Sequence, residues 1–199
     1  MNESRTLPPD LDAMKDLIAG LDRRMGTLEA RLDTELAAIT EQLPEDKAAI
    51  IVFDGDLDKL IAAHIIATGA ATMGLETTLF FTFWGLNALK ERRTLEGKNL
   101  YERMMALMTP SSSKELHPSK MAFMGAGAAM LRQMMKQKDV ASLEDLMALA
   151  QEMGVRTVAC DMSMEVMGIR HDELREGVAL GGVASFLAEA SKARVSLFI

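Results

Sequence analysis

The stretch from Lys47 to Gly55, KAAIIVFDG, decides the fold class of this chain of 199 residues. Its six central residues are apolar, it follows Pro44, and it ends in an aspartate and a glycine. A short apolar run of this kind is typical of a strand that is buried on both faces of a parallel sheet. The stretch therefore predicts the first strand of an α/β domain.

The segments that follow alternate between helical and extended patterns. Residues 56–73 have apolar side chains at helical spacing and end before Gly74, and residues 76–83 form the next apolar run. This alternation indicates a mostly parallel sheet with helices on both faces. The further predicted elements are a helix at 86–93, a strand at 121–124, a helix at 127–137, a helix from Ser142 to Gly154, a strand at 155–159, a helix from Cys160 to Gly168, a helix from Gly182 to Ala190 and a strand at 195–199.

A separate helix precedes this domain. Apolar residues recur every seven positions from Leu11 to Ile39, and a second stripe three positions later ends at Glu35. The heptad pattern is typical of a coiled coil, and Leu43-Pro44 ends it because the residue before a proline disfavours the α conformation. We predict a helical arm over residues 1–44 and an α/β domain over residues 45–199. The arm either joins copies of the chain into a homo-oligomer or folds back on its own domain.

The composition excludes several classes of protein. Residues 1–46 carry 11 acidic and 5 basic side chains, whereas residues 47–199 carry 18 and 17, so the domain has no basic footprint for nucleic acid. A single cysteine excludes a disulfide framework and a multi-cysteine zinc site. We find no secretory signal and no apolar run of about 18 residues that would span a bilayer. The sequence predicts a cytoplasmic protein that holds no metal and no cofactor.

Cys160 is the strongest candidate for a reactive residue. It follows a run rich in β-branched residues, Val155 to Ala159, and precedes a polar stretch that starts a helix. Backbone N–H groups at the start of a helix stabilise a thiolate. Ligand sites in open parallel sheets lie beyond the carboxyl ends of the strands, where we also expect Asp54-Gly55-Asp56 and Phe83-Trp84-Gly85. These segments predict a pocket around the thiol.

The histidines and the aspartates of the chain suggest other kinds of site. A cysteine hydrolase would need a histidine base, and His64, His117 and His171 carry no triad signature. The aspartates at positions 54, 56 and 58 lack the glycine and the distal glutamate of a calcium loop, so helix capping explains them better. Cys160 itself could be a small buried apolar residue, which is the usual role of a free cysteine.

Three stretches together resemble a known family: Phe53 to Lys59 (FDGDLDK), Phe80 to Asn87 (FFTFWGLN) and Ala159 to Gly168 (ACDMSMEVMG). The chain from about residue 47 to residue 199 is similar to the DsrE/DsrF-like sulfur-relay family, and specifically to its DsrE-like subgroup, which is often labelled peroxiredoxin-like. The resemblance implies a parallel α/β domain in a homo-oligomer, with Cys160 accepting sulfane sulfur as a persulfide. It also implies a rhodanese-like sulfurtransferase and a TusA-like sulfur carrier as partners.

The predicted function is a sulfur carrier rather than a turnover enzyme, with Cys160 passing sulfur between protein thiols. The chain has no second cysteine that could resolve an internal disulfide, which counts against a two-cysteine peroxiredoxin. Two alternatives stay open: a non-catalytic oligomeric module that binds a small ligand or a partner, and a redox sensor that links protomers through Cys160. The predicted pocket residues are Asp54, Gly55, Asp56, Phe83, Trp84, Gly85, Asn87, Asp161, Met162, Ser163 and Met164.

Overall fold

The computed structural model describes residues 9–120 and 125–199, so the strand predicted at 121–124 lies outside the described residues. The chain divides into two compact units, and the boundary between them falls between Leu43 and Pro44. Within the described ranges, no helix combines the length and the apolar character that a membrane crossing requires.

The described part of the first unit is formed mainly by one helix, α1, which runs from Pro9 to Gln42. Its large apolar side chains from Met14 to Ile39 are each more than half exposed. Its threonine hydroxyls donate to carbonyl oxygens of the preceding turn, as Thr27 does to Arg23 at 2.8 Å. The long N-terminal helix predicted from the heptad pattern is therefore confirmed.

The second unit is built on a five-stranded sheet in the order β4-β3-β2-β1-β5, in which all neighbouring strands are parallel. Ala48, Ala49 and Ile50 of the interior strand β1 are buried, so both faces of this strand are covered. The predicted parallel α/β fold is confirmed. The strands are β1 (Glu45–Val52), β2 (Glu76–Phe81), β3 (Arg156–Cys160), β4 (Ala179–Gly181) and β5 (Ala193–Phe198).

Helices cover both faces of this sheet. On one face, α2 (Leu57–Thr72) and α5 (Leu143–Glu152) pack against each other over the larger core, which includes Ile50 and Phe81. On the other face, α7 (Val183–Ala190) covers a smaller core. The remaining helices are α3 (Leu100–Met108), α4 (Ala126–Gln137) and α6 (Asp161–Met167), with short 3-10 helices at Phe83–Leu89, Ser113–Glu115 and His171–Glu173.

The structure differs from the sequence-based expectation after β2. The helix predicted at 86–93 is wrong, because the chain forms a 3-10 helix at Phe83–Leu89 and is extended at Lys90, which bridges Leu174. The strand predicted at 76–83 ends at Phe81, two residues early. The 3-10 helix begins at Phe83, whose φ of 45° lies in the left-handed region and not in the extended region of a strand. No pattern predicts β4, since a strand of three residues is too short to show a period.

Candidate functional site

Cys160 lies at the junction between β3 and α6, where the sequence predicts it. It is the last residue of the strand and the N-cap residue of the helix. Its side chain is fully buried in the smaller core, together with Phe80, Val158 and Phe186. The rings of Phe80 and Phe186 stack with a centroid distance of 4.8 Å. The thiol is therefore enclosed between the sheet and α7.

The residues that follow the cysteine hold the start of α6 in place. Asp161 Oδ1 accepts a hydrogen bond from the Met162 N–H at 2.7 Å, and the Met162 side chain is half exposed. Ser163 Oγ and Thr82 Oγ1 lie 2.7 Å apart, which joins the end of β2 to α6. Met164 is buried in the larger core, whereas the thiol belongs to the smaller one. Of the four predicted pocket residues in α6, Met164 therefore does not share the core that surrounds the thiol.

One lysine pairs with two aspartates of the acidic turn after β1. Lys59 Nζ binds both Asp54 and Asp56, the latter at 3.0 Å, and its hydrogen bonds to Asp54 and then to Asp56 raise the pKa of Lys59. Asp58 accepts hydrogen bonds from the Ser119 N–H and hydroxyl, both at 2.7 Å. No group of three acidic, histidine or cysteine side chains in residues 9–120 and 125–199 is placed to hold a metal ion. The aspartates of this turn therefore form ion pairs and hydrogen bonds at the start of α2.

The turns after β1 and β2 pack tightly against each other. A Cβ atom at Gly55 would lie 2.6 Å from the Trp84 carbonyl oxygen, and one at Gly85 would meet the Val52 carbonyl oxygen even more closely. The Gly85 N–H also donates to the Phe53 carbonyl oxygen at 2.9 Å. Only glycine fits at these two positions. The structure therefore brings together the two segments that the sequence predicts to line a pocket.

Aromatic side chains cluster at this edge of the sheet. The Phe53 ring lies 5.5 Å from that of Phe83 and 5.7 Å from that of Phe198. Trp84 is nearly half exposed, whereas Asn87 is buried and donates from Nδ2 to the Trp84 carbonyl oxygen at 3.1 Å. The Asn87 Oδ1 atom is buried and has no hydrogen-bond partner in the described part of the chain. This edge combines exposed aromatic surface with an unsatisfied acceptor.

The residues that share the buried cluster of the thiol are not among the predicted pocket residues. Strand alternation could have found two of them, because Val158 lies two residues before Cys160 and pairs in register with Phe80. Phe186 comes from α7, and no local pattern near Cys160 predicts its approach. Sequence reasoning therefore locates the cysteine but misses the side chains that enclose it.

A cavity of about 190 Å³ lies beside this cluster, between β3, β4 and α7. Phe80, Val158 and Phe186 line the cavity and also belong to the buried cluster of Cys160. The ion pair between Arg156 and Glu189 contributes to the lining as well. Cys160 is not part of the lining, so apolar side chains separate the thiol from the cavity.

His64 belongs to the other side of the sheet. It is buried on α2, its Nδ1 donates to the Leu60 carbonyl oxygen at 2.8 Å, and its ring lies 6.0 Å from that of Phe81 in the larger core. Burial lowers the pKa of His64, so the ring is neutral near pH 7. Its position on α2 excludes it as a general base for the thiol.

Comparison with known proteins extends this description. The model of the DsrE/DsrF/DrsH-like family matches residues 44–198, which leaves α1 outside the match. The uncharacterized protein YrkE of Bacillus subtilis (strain 168) is 41% identical over 162 residues, which cover 81% of this chain and 100% of that relative. The sulfur carrier protein DsrE2 of Allochromatium vinosum is 34% identical over 161 residues, which cover 79% of this chain and 100% of that relative.

Proposed function

The chain belongs to the DsrE/DsrF/DrsH-like family, and on that basis we propose that it is a sulfur-relay protein that carries sulfane sulfur as a persulfide on Cys160. One observation carries the proposal: the single thiol of the chain stands where β3 ends and α6 begins. A relative named as a sulfur carrier, 34% identical to this chain, supports the same role.

The proposed step is an exchange of sulfur between thiols. The Cys160 thiolate attacks the outer sulfur of a donor persulfide, so that a new S–S bond forms while the donor's S–S bond breaks and the donor leaves as a thiolate. An acceptor thiolate then attacks the outer sulfur on Cys160 in the same way and regenerates the cysteine. The exchange is redox-neutral overall and needs no further reactant.

Loading requires the thiol to become accessible, because Cys160 is fully buried beneath α7. This helix has eight residues, starts at Gly182 without a side-chain cap, and exposes Val183 and Leu187 to solvent. A helix this short gains little stability of its own and opens at low free-energy cost. Its displacement would join the thiol to the neighbouring cavity of about 190 Å³. We assign α7 as the cover of the site.

Intact-mass spectrometry tests this function. The protein is incubated with thiosulfate or glutathione persulfide and a rhodanese-like sulfurtransferase. We expect the wild type to gain the mass of one sulfur atom, which dithiothreitol removes, and Cys160→Ser to gain none. The variant Met73→Ser, altered at an exposed side chain at the end of α2, is the control and should keep the adduct. A wild type without the adduct, or a Cys160→Ser variant with it, contradicts the proposal.

The proposed partners are a rhodanese-like sulfurtransferase that loads Cys160 and a TusA-like carrier that accepts the sulfur, both in the cytoplasm. The exposed Trp84 and Phe198 side chains, with Phe53 and Phe83 beneath them, offer these proteins an apolar docking edge. Trp84→Ala should therefore slow loading by the sulfurtransferase and leave loading by glutathione persulfide unchanged. We also propose a homo-oligomer, with residues 1–44 as its arm and residues 45–199 as the family domain.

The full burial of Cys160 favours one alternative, a non-catalytic module that binds a small ligand or a partner. A second cavity, of about 280 Å³, lies between α2, α4 and α5, with Leu57 and Leu143 among its apolar lining and Arg132 and Glu144 among its charged lining. A thermal-shift screen with nucleotides, flavins and thiols separates the two functions. Strong stabilisation by a ligand that persists in Cys160→Ser, without persulfide formation in the wild type, would favour the binding module.

A further inference from the structure

The apolar stripe of α1 has no cover in the described part of the chain. An exposed apolar stripe of this length on one helix marks a surface for a partner. Its members are each more than half exposed and are Met14, Ile18, Leu21, Met25, Leu28, Leu32, Leu36, Ile39 and Leu43.

The stripe is continuous, with one change of phase. From Met14 to Leu32 its members follow in alternating steps of four and three residues. Glu35 would occupy the next core position, but Leu36 takes its place one residue later, and the steps continue to Leu43. A shift of this kind changes the winding of a coiled coil locally and does not end it. The whole helix can therefore bury its stripe against another helix.

Charges beside the stripe select the orientation of that partner. With Leu11 at heptad position a, Asp22 and Glu29 occupy position e, and Arg24 and Arg31 occupy position g. In a parallel pair position g faces position e, so Arg24 lies beside Glu29 of the partner subunit, and symmetry repeats the contact. In an antiparallel pair position g faces g, so arginine meets arginine, whereas position e faces e and brings Lys15 together with Asp22 and Glu29. The charge pattern favours a parallel pair.

On the outer face, the Thr27 and Thr34 hydroxyls already donate to carbonyl oxygens of their own helix, both at 2.8 Å. That face needs no partner, so one stripe per helix is buried.

We infer that α1 pairs with α1 of a second copy of this chain in a parallel, in-register coiled coil. The two copies then leave their α/β units at the same end of the coil, since both helices end before Pro44. The inference is independent of the sulfur chemistry, because it uses no residue of the Cys160 site. It adds to the proposed homo-oligomer the orientation and the register of its helices.

Cysteine cross-linking in the full chain tests orientation and register. In a Cys160→Ser background, Met14→Cys puts a thiol in the stripe near one end of α1, and it meets its copy only in a parallel, in-register pair. Mild oxidation should convert most of this variant to a disulfide-linked dimer on a non-reducing gel. The control Thr34→Cys, on the outer face, should remain a single chain. The inference is overturned if Met14→Cys cross-links no better than this control, or links to an Ile39→Cys copy instead.

A charge swap provides a second arm of the test. The substitution Glu29→Arg is added to the Met14→Cys variant. It should lower the cross-linked fraction severalfold at low protein concentration, because an arginine at position 29 repels Arg24 of the partner subunit. Combining Arg24→Glu with Glu29→Arg should restore the fraction. A single swap without effect, or a double swap that does not restore cross-linking, contradicts the parallel pairing. Every variant lacks Cys160, so the outcome does not depend on the proposed sulfur carriage.

Discussion

Among single residues, Glu173 is the most tightly held charge described in the α/β unit. Its carboxylate is buried and accepts hydrogen bonds from Lys98 Nζ at 2.6 and 2.8 Å, from the Thr94 N–H at 2.6 Å and from the Arg170 N–H at 2.9 Å. Burial raises the pKa of Glu173, but the bonds from Lys98, Arg170 and Thr94 together outweigh it and lower the pKa. A lowered pKa means that the carboxylate stabilises the fold above its unfolded pKa and loses this effect as pH falls through the folded value.

Glu173→Gln should lower the free energy of unfolding by about 3–5 kcal/mol at neutral pH, because Lys98 then stays buried without its counter-charge. Chemical denaturation measures the change. The exposed neighbour Glu176 supplies the control, and Glu176→Gln should stay within about 0.5 kcal/mol of the wild type. The gap between the wild type and Glu173→Gln should narrow as pH falls through the lowered pKa of Glu173. A gap that is the same at every pH would contradict this role for the carboxylate.

Phe186 should control access to the thiol, because its ring stacks on Phe80 in the cluster that encloses Cys160. We expect Phe186→Leu to speed the reaction of Cys160 with an aromatic disulfide reagent severalfold, as followed by absorbance. The control Phe81→Leu removes a similar ring from the larger core on the opposite face. If both variants accelerate the reaction equally, the thiol is reached by general unfolding and α7 is not its cover.

A helix or strand of this chain can be predicted from the sequence when residues within it determine its conformation. β1 is an apolar run between turn residues, and α5 starts with Ser142 and Asp145 bonded to each other's backbone N–H groups, so both follow from local sequence. The path of residues 83–89 depends on contacts with β1, which lies about thirty residues earlier, so a local pattern misses it.

For the candidate site, too, local sequence predicts the position of the cysteine but not the side chains that surround it. The position of Cys160 at a strand-to-helix junction follows from the change of pattern around it, and the structure agrees. Its complete burial does not follow from sequence, because the covering ring of Phe186 lies on α7, the crossover that carries the chain from β4 at one edge of the sheet to β5 at the other. Tertiary contacts of this kind have no local signal.

The close packing of the turn after β2 against β1 and the turn that follows it can be tested at Gly85. Gly85→Ala should lower the free energy of unfolding by about 1–3 kcal/mol, because the added Cβ would overlap the Val52 carbonyl oxygen. Gly69→Ala is the matched control, since its Cβ would meet no atom within 4 Å in the exposed face of α2, and alanine should add about 0.5–1 kcal/mol there. Thermal or chemical denaturation of the two variants compares them. A neutral Gly85→Ala would mean that the turns do not pack as described.

For the whole molecule, the arm and the family domain are separate in sequence. The family match begins at residue 44, and the two relatives are matched over their full length by about four fifths of this chain. The acidic excess lies in the first 46 residues, and the rest of the chain is nearly neutral. The division supports the proposal that residues 1–44 serve assembly and residues 45–199 serve sulfur chemistry.

Deleting residues 1–43 should therefore lower the order of the assembly without unfolding the α/β unit. Static light scattering gives the number of chains per particle, and circular dichroism with denaturation shows whether the unit keeps a cooperative transition. If the truncated protein has as many chains per particle as the full chain, the arm has no role in assembly. Loss of the cooperative transition would show that the α/β unit depends on α1 for its fold.

The central claim is that Cys160 carries sulfane sulfur, and peptide mapping of the loaded protein tests it most directly. The protein is loaded with a persulfide donor, trapped with iodoacetamide, digested, and analysed by tandem mass spectrometry. We expect the peptide containing Cys160 to carry one additional sulfur between the cysteine and the alkyl group, and dithiothreitol before trapping to remove it. A Cys160 peptide that carries only the alkyl group under loading conditions would rule out sulfur carriage by this residue.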